Sequence, residues 1–273
     1  MLVVVQTYPA HFYQTLACLK SIRAIDPTCE IWLFADDFSN FSWGEYISTC
    51  SRTYRSLADR IIPFSDQPVL YRLRSWPWLR QQTNKLLLDR VIDRDQWLFV
   101  DGDVQLSKWP APDQVAASIR TYQGVPLSVR DPEPGEMSSQ IIFYVRHMLG
   151  DEFAGFWTAD GQPITASNPP VKHMHASILR SLRSHVESRF AKSLVDVHLT
   201  MAADTRMAAC EWDLIESYRQ NVLAQPCSWQ LDDDWYATTW SADKELGDDW
   251  FRSRDIAIDP EIWQLLPEGK NYL

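Results

Sequence analysis

The chain has 273 residues, 45% hydrophobic and 23% charged, which suits one large α/β domain, 1–273, with the balance of a globular protein. Its formal charge of −10 argues against a large footprint on nucleic acid, which needs clustered Lys and Arg. The five cysteines (Cys18, Cys29, Cys50, Cys210, Cys227) form no CxxC pair, no basic n-region opens the chain, and no run approaches the ~18 apolar residues of a membrane span; these features point to reduced thiols and a cytoplasmic protein.

Leu2 to Val5 is a short β-branched strand, closed by Gln6-Thr7-Tyr8-Pro9. Residues 10–24 carry Phe12, Leu16, Leu19 and Ile22 at helical spacing, and Asp26-Pro27 breaks that helix. Ile31 to Ala35 is a second strand, ending in Asp36-Asp37. Strand, helix, strand makes a βαβ unit, and continuous apolar strands imply a mostly parallel central sheet flanked by helices. Ile61 to Phe64 is a weaker strand. Residues 78–92 read as a helix with Leu79, Leu86, Leu87 and Val91 inward and Gln81 and Lys85 sharing another face. Trp97-Leu98-Phe99-Val100 then runs into Asp101-Gly102-Asp103.

Beyond this point the pattern predicts a helix near 112–121 and a strand from Val125 to Val129. Residues 131–139 and 158–170, rich in Pro, Gly, Ser and acids, read as loops over a site. Ile141 to Val145 is compatible with strand or helix. Residues 171–190 are read as helix, with Leu179, Leu182, Val186 and Phe190 in register, and a further helix spans 206–223. The end, from about 227, is rich in Trp and Asp without clear periodicity. The 13 Trp residues belong first to the core, although Trp76-Pro77-Trp78 and the Trp229, Trp235, Trp240 set offer a stacking platform for a sugar.

Asp-x-Asp occurs three times, at 93–95, 101–103 and 232–234. Only Asp101 and Asp103 stand at the carboxyl end of a strand that reads as central, where ligand crevices form in open α/β sheets. If the extended conformation persists, residues two apart point the same way, and Gly102 lets a ligand approach the backbone. Two convergent carboxylates suit a hard divalent cation, Mn²⁺ or Mg²⁺, shared with a diphosphate. Such a cation stabilises a nucleoside diphosphate as the leaving group when a sugar–phosphate bond breaks.

These residues make the chain resemble a GT-A glycosyltransferase. More narrowly, Trp78-Leu79-Arg80-Gln81-Gln82 through Lys85-Leu86, followed by Trp97 to Val104, resembles a bacterial group in which a Gln-Gln…Lys helix precedes the Asp-x-Asp strand. Members of that group carry a Glu-Tyr-Glu-Leu-like stretch, and Glu211-Trp212-Asp213-Leu214 stands in a comparable place. The match is good over the first 130 residues, the nucleotide-sugar half, and patchy over 131–273, the acceptor half. The resemblance implies a Rossmann-like fold and a nucleotide-sugar donor, with UDP favoured. Thr7 and Tyr8 would contact the nucleoside, and Asp36 or Asp37 its base or ribose. Gln81 and Lys85 would lie on the donor side, with Lys85 near the diphosphate. Asp101 and Asp103 would hold the metal, Asp103 directly. A third ligand would come from His198 or, more weakly, Asp232 to Asp234, whereas His173 and His175 read as core histidines.

An inverting enzyme needs a carboxylate for the acceptor proton, and Glu211 and Asp213 are the candidates; two apart on a helix, at most one faces the site. The acceptor is a hydroxyl on a glycan, a small molecule or a modified base of phage DNA. Arg180, Arg183 and Arg189 are the notable basic group, and they read as a solvated helix face. Two rivals remain. A nucleotidyltransferase would show a Gly-rich basic loop after the first strand, where Gln6 to His11 has neither Gly nor Lys. A catalytically silent nucleotide-sugar-binding protein is disfavoured by the intact Asp101 and Asp103.

Overall fold

A computed structural model describes residues 1–37, 43–70, 77–109, 114–116, 137–153, 156–157, 163–164, 171–205, 210–225, 228–230, 236–238 and 243–266. In chain order these form β1 (Leu2–Thr7), α1 (Phe12–Ile25), β2 (Glu30–Ala35), α2 (Trp43–Tyr54), β3 (Arg60–Pro63), α3 (Pro77–Lys85), β4 (Gln96–Asp101), β5 (Val104–Leu106) and β6 (Gln114–Ala116). There follow α4 (Met137–Leu149), β7 (Phe156–Trp157), β8 (Pro163–Ile164), β9 (Val171–His175), α5 (Ala176–Phe190), α6 (Leu194–Thr205) and α7 (Glu211–Ser217). A π-helical turn (Tyr218–Val222), β10 (Ser228–Gln230), β11 (Tyr236–Thr238), α8 (Asp243–Leu246), α9 (Asp248–Arg252) and α10 (Pro260–Leu265) complete the set.

The central sheet has the order β3-β2-β1-β4-β9. Three of its pairings are parallel, and β9 closes the edge antiparallel to β4. The fold is therefore α/β, with a mostly parallel sheet flanked by helices. Side-chain alternation divides the core in two. Val4, Trp32, Phe34, Trp97, Phe99 and Met174 pack under the helices that follow in the second half, with Leu79 of α3. Val3, Val5, Leu33, Leu98 and Val100 face α1, α2 and the C-terminal helices, through Phe12, Leu19, Tyr46 and Phe251.

The C-terminal segment is stitched to α1. The Asp243 carboxylate accepts from the backbone N–H groups of Tyr13 (2.6 Å) and Gln14 (3.2 Å), satisfying donors that the first helical turn leaves open. Burial outweighs these two donors and pushes the Asp243 carboxyl up to about 7.

Several expectations change. The helix predicted over 78–92 ends at Lys85, and the chain continues through a turn at Leu86 and Leu87 into a short 3₁₀ turn, with Leu86, Leu87 and Leu88 all buried. Residues 171–175 are strand rather than helix, since β4 offers an unpaired edge and β9 takes it up from Gln96↔His175 to Val100↔Val171. His175 thus precedes α5 and does not share its inner face. Gln114–Ala116, inside the helix expected near 112–121, is a strand paired with β10. The 137–139 end of an expected loop already belongs to α4, which also settles Ile141 to Val145 as helix. The helix expected over 206–223 begins only at Glu211 and widens into the π-helical turn, and α6 has no counterpart in the sequence reading. The strand expected at Val125 to Val129, Asp232 to Asp234, Trp76, Trp235 and Trp240 lie outside the described residues. Trp32, Trp97 and Trp212 are buried in the core.

Among the described residues four cysteines are free thiols, all buried, and no helix is long and apolar enough to cross a membrane.

Candidate active site

The strand order reverses between β1 and β4. β1 leads outward to β2 and β3 on one side, while β4 returns to its other side. That is the topological switch point, where diverging connections leave a crevice beyond the carboxyl ends. Gln6 of β1 and Asp101 of β4 are register partners there.

β4 ends at Asp101, Gly102 and Asp103 turn, and Val104 begins β5. The extended conformation therefore does not persist through the motif. Burial holds the nearby Cys18 thiol well above its ordinary range, and the charges of Asp103 and Asp101 add to that. Gly102 has a reason other than ligand approach. A Cβ there would stand 2.5 Å from the Gln6 carbonyl oxygen and 2.7 Å from Thr15 Oγ1, so the glycine lets the turn press against β1 and α1.

Lys85, the last residue of α3, reaches two carboxylates. Its Nζ lies 2.9 Å from Asp101 Oδ1 and 2.9 Å from Glu211 Oε1. Burial works against this ammonium, but the two acids outweigh it and hold its pKa above the lysine range. The Glu211 carboxyl is raised to about 7 by burial, with Lys85 pulling the other way. The indole of Trp212 lies 4.6 Å from the Lys85 ammonium, measured to the ring centroid. Gln82 stands directly against the Glu211 carboxylate and donates to it when its amide nitrogen is turned toward α7. Gln82, three residues before Lys85, thus shares this cluster, and the half-buried Gln81 has no such contact with Glu211.

The other expected donor-side residues have internal partners. Asp36 is fully enclosed and held by Arg80 through Nε (3.0 Å to each oxygen) and Nη2 (2.9 Å). Asp37 accepts from the Ser65 backbone N–H (2.9 Å) and from the Ser65 hydroxyl. Thr7 is buried with its hydroxyl 2.7 Å from Thr15 Oγ1, and the part-buried Tyr8 bonds His11 Nε2 (2.9 Å) and packs against its ring. Asp36, Asp37 and Thr7 are thus engaged inside the protein.

On the far side, α7 is buried along its length. Glu211 turns to Lys85, whereas Asp213 lies by Cys210, whose thiol burial and the Asp213 charge keep protonated. Both carboxylates are wholly enclosed. Glu216, one turn on, pairs with Lys172 of β9 (2.7 Å) and Arg219 (3.3 Å). His198 is enclosed between α6 and α4, with Nδ1 2.6 Å from the Tyr144 hydroxyl, and burial lowers its pKa to about 3. The structure does not bring it to Asp101 and Asp103: among the described residues no three His, Cys, Asp or Glu side chains converge on a metal-sized site.

Arg80, Gln82, Lys172 and Glu216 were missed in the sequence. A signal existed for the first two: Arg80 to Lys85 are six consecutive polar residues, and all but Gln81 are buried. A polar run of that length between apolar flanks, without Pro or Gly, marks a helix whose polar face is used internally.

No protein-family model matches the chain, and no curated protein matches it. Among solved structures it is similar to an active-site mutant of LgtC (13% identity, TM-score 0.47, covering 98% of this chain and 100% of that one). Mouse xyloside xylosyltransferase 1, apo form, is similar at 10% identity and TM-score 0.43, covering 85% of this chain and 84% of that one. A glucose-1-phosphate thymidylyltransferase from Bacillus anthracis, in complex with a sucrose, is similar at 9% identity and TM-score 0.41, covering 96% and 99%.

Proposed function

We propose that the chain is a GT-A glycosyltransferase that moves a sugar from a nucleoside-diphosphate donor, UDP-linked in the first instance, to a hydroxyl acceptor. The observation that carries this reading is the Asp101-Gly102-Asp103 turn at the switch point between β1 and β4. In chemical type the donor set suits a hard cation: both acids are only partly buried, and the Asp101 side chain is 26% exposed. Asp103 and Asp101 would hold Mn²⁺ or Mg²⁺, which when bound supplies Lewis-acid charge to the diphosphate leaving group.

The chain's own residues do the rest. Gly102 packs the turn against β1, so the carboxylates are held by the sheet rather than by a free loop. Lys85 offsets part of the Asp101 charge and sets its rotamer. Thr7, Tyr8, Asp36 and Asp37 form the wall on the nucleoside side, with Tyr8 the partly exposed member. Residues 1–130 would serve the donor and 131–273 the acceptor. The buried free thiols accord with a reducing compartment.

Calorimetric titration of UDP and GDP, with Mn²⁺ and then with EDTA, tests the reading on wild type and Asp103→Asn. The expected result is nucleotide binding that needs Mn²⁺ and is lost in the variant, with unchanged thermal stability. Binding that ignores both EDTA and the substitution would remove Asp101 and Asp103 from the function.

A further inference from the structure

The Lys85 ammonium is shared between two carboxylates in different surroundings. Asp101 opens to the crevice with its side chain 26% exposed, while Glu211 is sealed behind it at 0%. The two Nζ–oxygen distances are equal at 2.9 Å, so neither acid holds the ammonium alone. On the sealed side, the Trp212 ring lies against the ammonium, 4.6 Å from it to the ring centroid. A buried ammonium that lost one of two anionic partners would give its whole charge to the other, because Coulomb attraction is stronger inside than in water.

We propose that Glu211 is a positioning residue that acts through Lys85: by holding the ammonium from behind, it prevents full neutralisation of Asp101 and keeps that carboxylate able to join Asp103 in binding a divalent cation. The proposal rests on the donor-site reading above. It takes Glu211 out of the role of acceptor base and Lys85 out of the role of phosphate contact. It also ties α7, in the acceptor half, to the cation site without any direct contact between Glu211 and the donor.

The test is calorimetry of UDP with Mn²⁺ at mildly alkaline pH on wild type, Glu211→Gln, Lys85→Met and the Glu211→Gln/Lys85→Met double variant, with donor hydrolysis followed in parallel. Glu211→Gln should weaken Mn²⁺-dependent binding by roughly tenfold, the scale of one altered charge interaction near the site. Lys85→Met should bind at least as tightly as wild type, and the double variant should recover to within about threefold of it. Wild-type binding by Glu211→Gln with hydrolysis lost would make Glu211 a base and overturn the proposal. Loss of binding in Lys85→Met would make the lysine a phosphate ligand and overturn it too, as would a double variant no tighter than Glu211→Gln. Should circular dichroism show either single variant unfolded, the double variant decides, since removing both charges leaves neither buried alone. If wild type binds neither UDP nor GDP with Mn²⁺, the donor-site reading itself has failed and this inference falls with it.

Discussion

Two buried ion pairs join α3 to the sheet, one at each end of the same polar run. Asp36 and Arg80 are both at 0% exposure, bidentate and closed on all sides. Asp101 and Lys85 share the chemistry, but Asp101 is open and Lys85 is divided with Glu211. A sealed pair has given up water on both members and can only recover that cost from its partner, so it locks the helix to the strand. A divided pair on an open edge retains charge that a third party can use. The difference sets a closed pair apart from an open one within one nine-residue helix.

The largest expected effect comes from breaking the sealed pair. Arg80→Met leaves Asp36 charged and buried, at a cost of about 3–5 kcal/mol in denaturant unfolding, whereas Asp36→Leu/Arg80→Met should recover most of it. A single variant within about 1 kcal/mol of wild type would mean that the pair is not sealed in solution.

A second test uses a carboxylate sealed without a cation. Asp243 has its folded-state carboxyl raised to about 7 from 3.8, so the folded chain binds the extra proton between those values. Stability attributable to Asp243 should fall as pH rises through that window, by on the order of 1 kcal/mol per pH unit, and level off above it. Thermal unfolding of wild type against Asp243→Asn over pH 4 to 8, taken as a difference, isolates this contribution. A difference that grows with pH would show that the Tyr13 and Gln14 N–H groups outweigh burial.

The smallest effect on stability, yet a sharp one on function, is expected at the open end. Gly102→Ala puts a methyl group 2.5 Å from a backbone carbonyl oxygen and should cost about 1–3 kcal/mol while displacing the Asp101–Asp103 turn. Mn²⁺-dependent UDP binding should drop with it. Binding preserved at full strength would detach the turn from the donor site.

The candidate site was legible in part. Asp101 and Asp103 could be singled out among three Asp-x-Asp runs because strand continuity and position along the chain are local properties. The partners of Lys85 could not be read: Glu211 comes from a distant helix, and no spacing rule links it to α3. Nor could the sequence tell which glutamine faces α7, because one residue along a helix is a rotation of about 100° and only packing decides it. His198 was no more legible, since its place in the core, with Nδ1 on the Tyr144 hydroxyl, is set by how α6 packs on α4 and not by its neighbours in the chain.

By itself the sequence determined what depends on neighbours in the chain. The β1–α1–β2 unit, the apolar strand before Asp101 and the polar run of α3 all follow from short-range periodicity and from the need to bury continuous apolar strands. Tertiary structure alone decided what depends on closure over long separations: β9 as a strand rather than helix, the cap of α1 by Asp243 across 230 residues, and which carboxylates are sealed and which stay open. The physical reason is that a backbone edge or a buried charge takes whichever partner the packed layers bring to it, and that partner is not encoded in the residues beside it.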